Sequence, residues 1–441
     1  MPSAALAAAL QVSPATLLRM VAMSGSAIER VGAGRATRYA LRRSVRHLGS
    51  NWPVYRISAQ GRPQVWGELR ALHGGFRLIP RAAAPAWMAR KYPDGIFSGL
   101  PCCLQDVRPQ GYLGRALARE LAARLGVPAD VRDWNDDDVL SYLLAEGADV
   151  PGDLVVGDRA VERALGAADG LAGQAIADAD RPRLYPELAA AAQRGVVAGS
   201  SAGGEQPKFL AVVRRGDGAP QSVLVKFSAA EPSPMAERWA DLLACEQLAA
   251  ETLGERHFNC APTRLLRAAG RCFLEVERFD RLGAHGRRGL LTLGAMTDAF
   301  LENSPADWVR AAAALEAARW ISPEAGRALR WLWCYGDLIA NSDMHRANAS
   351  FWLGDELPFQ LTPSYDMLPM LYAPRAQGEL GERVFSPRPP LAGVADVWSD
   401  AAAAALAFWD RVNAEQAISD SFRAIAGRNR EGVRRLVSRF G

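Results

Sequence analysis

The stretch ANSDMHRANASFWLGDELPFQLTPSYDM, from Ala340 to Met367, sets Asp343, then Asn348 five residues on, then Asp366 23 residues after the first Asp. Such an order constrains the fold, because a loop and a later piece of chain must be brought to one point before the three oxygens can act together. It is the spacing of a phosphoryl-transfer centre. Asp343 would hold an acceptor hydroxyl as base or orienter, while Asn348 and Asp366 would be hard oxygen ligands for Mg²⁺ on the phosphates of ATP. One acid alone would more simply be a solvated surface residue; three in this order shift the balance.

Lysine usage points the same way. The chain has 52 Lys plus Arg, yet only Lys91, Lys208 and Lys226 are lysines. Where an ammonium persists against that bias, a compact point charge on phosphate is a physical reason for it. Lys226 lies in SVLVKFS, whose apolar run reads as a buried strand. Lys208 ends the loop GSSAGGEQPK, in which Gly203 and Gly204 let backbone N–H groups approach phosphate and Gln206 adds a polar contact. The loop is not a Walker A motif and alone is a weak signal. Lys91, in RKYPDG, has no phosphate context and reads as a surface residue.

The loop SSAGGEQPK, the strand lysine Lys226, VERFDR (residues 276–281), NSDMHRAN and PSYDM together resemble the HipA-like serine/threonine kinases over roughly residues 50–430. The resemblance implies an α+β, bilobal kinase-like fold with a mixed small lobe and a mainly helical large lobe. ATP and Mg²⁺ are the implied cofactors, and the implied reaction is phosphorylation of a protein hydroxyl, aminoacyl-tRNA synthetases being known substrates in the family. By motif, Asp343 is the catalytic acid, Asn348 and Asp366 the metal ligands, Lys226 the nucleotide lysine, and Glu277 with Phe279 the hinge at adenine. The family's self-silencing loop serine falls at Ser200 or Ser201. The loop here is one residue longer than the family pattern, so both serines stay in play.

On the helix PMAERWADLLACEQLAAETLG, Glu246 is the candidate partner of Lys226 in the manner of a kinase small lobe, with Glu237 and Glu251 as competitors that helical facing alone does not exclude. His345 is assigned a structural role in the loop. The other four histidines have no ligand spacing, and no zinc site is suggested. Six cysteines without a Cys-x-x-Cys pair, no signal peptide and no apolar run of 18 residues predict a cytoplasmic protein without membrane contact.

Residues 1–47 carry seven Arg and one Glu, a net +6 against +4 for the whole chain. SAALAAAL, a QV turn and SPATLLRMVAM, with Ser13 as N-cap and Pro14 in the first turn, follow helix-turn-helix grammar. Leu6, Leu10, Val12, Leu17 and Val21 would close a small core. Ser13, Thr16 and Arg19 would face the DNA major groove, and a Gly-Ala-Gly hairpin would add Arg35 and Arg38 as a wing. The expected division is therefore a winged helix-turn-helix over 1–47, a small lobe with an added N-terminal subdomain over 48–276, and a helical large lobe over 277–441. In the family a separate antitoxin usually supplies DNA binding, and the fused arrangement resembles its YjjJ-like subgroup. An antitoxin partner or a homodimer remains in view. The acidic run DWNDDD is explained by the helix that follows it. Two other readings share these residues: a DNA-binding regulator whose kinase-like body senses a ligand, and a small-molecule kinase.

Overall fold

The computed structural model describes residues 1–32, 34, 37–194, 206–374, 380–381 and 383–440. At the N-terminus, helices Ser3–Ala9 and Pro14–Met23 meet at a 95° bend. Strands Ile28–Val31 and Arg38–Leu41 then pair antiparallel. Ala7, Leu17 and Tyr39 are the buried centre of this module, with Leu6, Val12, Val21 and Ile28 around them. Leu10 does not join: it lies past the last helical turn, where the 3.6-residue period no longer sets its direction, and it is exposed.

The arginines of this module mostly face acids of the same chain. Arg42 meets the buried Glu29, which Arg70 and Arg77 also hold. Arg43 makes a fork on Asp137 with both bonds at 2.7 Å, and Arg46 contacts Asp138. The DWNDDD acids thus do two jobs, since Asn135 and Asp138 also form the capping box of helix Asp136–Glu146.

Next comes a five-stranded antiparallel sheet in the order Ile96–Phe97, Gly75–Pro80, Pro63–Leu72, Asn51–Ile57, Leu154–Val156. Its buried side chains, among them Val54, Leu69, Phe76 and Leu78, join one core with the helices of the C-terminal half. A four-stranded sheet follows, in the order Thr263–Ala268, Arg271–Glu277, Pro220–Phe227, Lys208–Arg214. Strand alternation sends Val223, Val225 and Phe227 into a separate aromatic core with Tyr185, Phe209 and Phe273. The opposite face, carrying Leu224 and Lys226, is left for the site.

Five helices dominate the rest: Leu293–Phe300, Trp308–Ala317, Pro323–Leu338, Ala395–Ala414 and Asp420–Phe440. Ala401, Ala402, Ala404 and Ala405 are fully buried, so the alanine run acts as a close-packing surface as well as a helix former. Among the described residues no single helix is long and apolar enough to cross a membrane; only the first two, bent as they are, reach that composition jointly.

Candidate active site

Lys226 sits on a central strand, and its Nζ donates to Glu246 Oε1 at 2.6 Å, to Glu246 Oε2 at 2.8 Å and to Asp366 Oδ1. Glu246 comes from the helix Pro234–Glu255 that packs across the same sheet, and Glu237 and Glu251 point elsewhere. Asp366 stands 140 residues along the chain, with a positive φ of 57°. A short polar residue tolerates that conformation better than a branched one.

Burial works against each charge here. It is outweighed at Lys226, which Asp366 and Glu246 hold above the ordinary lysine value. It is outweighed at Asp366 too, which Lys226 and then Lys208 hold low. Glu246 moves up, driven by burial, with Lys226 opposing and Asp366 adding to the rise. One ammonium shared by two carboxylates accounts for the opposite directions.

The loop of Asp343 begins where helix Pro323–Leu338 runs out at Ala340, whose φ is 62°. Asn341, buried, joins the two acids: its Nδ2 donates to the Asp366 carbonyl at 3.2 Å and its Oδ1 accepts from the Asp343 N–H at 3.1 Å. Asn348, also buried, donates from Nδ2 to the Asp343 carbonyl at 2.8 Å, which directs its Oδ1 away from that bond. His345 is exposed. It serves the loop through its carbonyl, which accepts from Trp308 Nε1 at 3.1 Å and from the Asn348 N–H at 3.0 Å.

An apolar slot opens beside Lys226, walled by Leu210, Leu224, Val276, Leu290, Phe279 and Tyr365, with Lys208 and Asp366 at the charged end. Lys208 lies opposite Lys226 in the strand register. Phe279 packs on Tyr365 at 5.6 Å and edge-on to Trp352 at 5.7 Å. Glu277 also lines the slot. Its carboxylate is drawn to Arg215 outside the slot and its N–H donates to Pro262 O at 2.9 Å, so neither group is aimed at a base. Gln206 is buried, and its Nε2 has no hydrogen-bond partner among the described residues. Gly203, Gly204, Ser200 and Ser201 lie outside the described residues, as does Arg35.

Behind the slot, Asp280 binds Arg278 at 3.1 Å and Arg281 at 2.6 Å and accepts from the Gly152 N–H at 2.9 Å. Burial raises the Asp280 carboxyl, but those two guanidiniums bring it well below the usual carboxylate range.

The residues suit the nucleotide and metal implied by the resemblance. The slot offers apolar walls at one end and cations at the other. Asn348 and Asp366 are hard oxygen donors, and no group of three or more potential ligands occurs among the described residues. A two-residue donor set fits an ion that keeps waters and phosphate oxygens.

Sequence reading missed Asn341, Tyr365 and Asp280. Asn341 carried a signal, since an Asn two residues before Asp343 has the spacing of a side chain bonding a nearby backbone N–H. Tyr365, whose hydroxyl donates to Ala347 O at 2.8 Å and pairs with Ser350 Oγ at 2.6 Å, had none beyond its place in PSYDM.

On the N-terminal module, Ser13 caps its helix by accepting from the Thr16 N–H at 3.1 Å, and Arg19 reaches Thr16 Oγ1 at 3.4 Å, all at an exposed face. Arg38 instead lies 3.4 Å from Asp94. A count of +6 over residues 1–47 leaves out what later chain brings to the module, namely Asp94, Asp137 and Asp138 on its arginines and Arg70 and Arg77 on Glu29.

Fold and site together define a mixed helix-and-sheet protein of HipA-like architecture. The HipA chain in the Shewanella oneidensis MR-1 toxin–antitoxin complex of HipA, HipB and operator DNA matches it with a TM-score of 0.55 and 15% identity, covering 88% of this chain and 97% of that one. Residues 48–165 match the family model "YjjJ-like toxin, middle domain", and residues 200–428 match "HipA-like C-terminal domain". Toxin YjjJ of Escherichia coli K12 is 36% identical over 438 residues, spanning 98% of this chain and 95% of that protein. The protein belongs to the YjjJ-like group of the HipA-like toxin family.

Proposed function

We propose that the protein is a kinase that uses ATP and Mg²⁺ to phosphorylate serine or threonine hydroxyls of a protein substrate. The observation that carries the reading is the joint placement of Lys226 on Glu246 and Asp366, with Asn341 tying Asp366 to the loop of Asp343. Magnesium, when bound, would neutralise charge developing on the transferred phosphoryl group. Asn348 and Asp366 would hold it there. Lys226 and Lys208 meet phosphate oxygens, Phe279 and the apolar walls hold the base, and Asp343 orients the acceptor hydroxyl and takes its proton. With a loose transition state, positioning and charge carry most of the rate, which is why so much of the site is buried support.

Phosphorylation at Ser200 or Ser201 would add close to two negative charges beside the ATP phosphates and silence the enzyme by repulsion. Incubation of the full chain with labelled ATP and Mg²⁺ should place phosphate on one of these serines, and Asp343→Asn should abolish it. A wild-type chain that takes no label would move the reading to a regulator with a ligand-sensing body. The exposed row Ser13, Thr16 and Arg19, on the second helix after the 95° bend, favours a DNA-contacting role for the N-terminal module in either case. We extend the proposal to an antitoxin-like partner, following the complex described for the Shewanella HipA.

A further inference from the structure

The loop of Asp343 has a second face. Asp343 and His345 line a cleft whose far wall is the irregular segment 383–391, and Ser386 of that segment lines it with them. The segment is held on both sides of Ser386. Phe385 packs against Trp409 at 6.5 Å. Arg388 donates from Nε to Asp337 Oδ1 at 2.9 Å and lies 5.0 Å over the Trp333 ring. Pro387 rests against Gly432, where an added Cβ would meet it at 3.6 Å. Ser386 itself is exposed, a hydroxyl presented between fixed neighbours.

We propose that Ser386 is a phosphoacceptor presented to Asp343 within the same chain; the proposal rests on the kinase reading above. Ser386 Oγ bonds to the γ-phosphorus of ATP as the bond from that phosphorus to the β–γ bridging oxygen breaks. ADP leaves with that electron pair, and the hydroxyl proton passes to the Asp343 carboxylate. An intramolecular reaction follows from the anchors: Trp333 and Asp337 belong to the helix Pro323–Leu338, whose end leads directly into the loop of Asp343. The product is self-displacing. A phosphoserine placed among Asp337 and Asp343 is repelled by both, while Arg388 is drawn from Asp337 toward the stronger acceptor. Modification therefore releases the segment and opens the cleft to a protein substrate.

The test is phosphopeptide mass spectrometry on the full chain after incubation with ATP and Mg²⁺, at two protein concentrations 100-fold apart. The expected result is phosphate on the peptide containing Ser386, appearing with a rate constant unchanged by dilution. That site should be lost in Ser386→Ala, and all label should be lost in Asp343→Asn. Phosphate at Ser200, Ser201 or an added protein, with the Ser386 peptide unmodified throughout, overturns the proposal and leaves the kinase reading standing. A rate constant that falls in proportion to dilution overturns the intramolecular assignment. No phosphate anywhere on the wild type or on added protein overturns the kinase reading and this proposal with it.

Discussion

At the scale of single residues, the site depends on one ammonium serving two acids. Lys226→Met leaves Glu246 and Asp366 buried with their shared countercharge gone, so phosphoryl transfer should fall by at least about 100-fold, the order found when one aimed donor is removed from a reacting site. Glu246→Gln keeps the shape and leaves Lys226 on Asp366, so its loss in kcat/KM should be smaller. Equal losses in steady-state assays would show that Lys226 acts only as part of the Glu246 pair. Two members of this cluster were legible in the sequence on their own: Lys226 stood out by scarcity and Asp366 by spacing. Glu246 was legible as the first candidate on its helix, but Glu237 lies ~180° and Glu251 ~140° around the helix from it, and it took packing to set Glu246 toward Lys226. A second residue-scale expectation concerns Asp153, buried with Oδ1 unpartnered and Arg56 Nε 3.4 Å from Oδ2. Burial raises its pKa to about 6, against the pull of Arg56. A raised carboxyl favours the protonated fold, so the stability tied to that proton is full below the unfolded value near 4 and is lost as pH rises through about 6. Asp153→Asn cannot ionise. Its stability relative to wild type should therefore improve between pH 4 and pH 7.5, by about 3 kcal/mol for a shift of ~2 units, read as the change in thermal-midpoint difference. A difference that does not vary with pH would mean that Arg56 keeps the group charged.

At the scale of elements, the segment VERFDR is braced from elsewhere in the chain. VERFDR was readable as a segment, but its partners Asp149 and Gly152 lie about 130 residues earlier, and no local pattern announces such a contact. Two arginines, Arg278 and Arg281, converge on Asp149 and Asp280, and Arg287 is buried nearby with its pKa lowered to about 9, by burial first and by Arg281 next. Asp280→Ala removes a buried acid from this cationic group. It should cost about 3–5 kcal/mol, the range for leaving a buried charge without its partner, measured as a shift in denaturant midpoint. A change under about 1 kcal/mol would show that water reaches the guanidiniums and that the brace carries little. The four-stranded sheet was the easier element to read. SVLVKFS is a short apolar run of strand formers, whereas the five-stranded sheet's union with the C-terminal helices depends on which faces meet, which one chain's periodicity leaves open.

At the scale of the whole molecule, charge is distributed differently from the impression the sequence gives. Seven arginines in the first 47 residues suggest a basic arm making about five phosphate contacts. Folding sets Arg43 and Arg46 on Asp137 and Asp138 and Arg38 beside Asp94, while Glu29, paired within the module to Arg42, is held from outside by Arg70 and Arg77, so these contacts fasten the N-terminal module to the rest of the chain. Arg19 and Arg30 are exposed, with no acid in an ion pair with either among the described residues, while Arg38 and Arg46 are exposed but sit beside Asp94 and Asp138. If duplex DNA is bound with the module docked in this way, the slope of log K against log salt should be near −2 to −3, shallower than the roughly −4.5 that five contacts would give. Fluorescence anisotropy with a labelled duplex between 50 and 200 mM salt reads it, and Arg19→Ala should reduce the slope by about 1. A slope steeper than about −4 would mean that the module lets go of Asp137 and Asp138 to bind, making DNA a competitor for the contacts that hold the chain together. Arg43→Ala with Arg46→Ala would then expose the junction near residue 47 to protease without DNA present, and unchanged proteolysis in that variant would return the slope to some other basic surface.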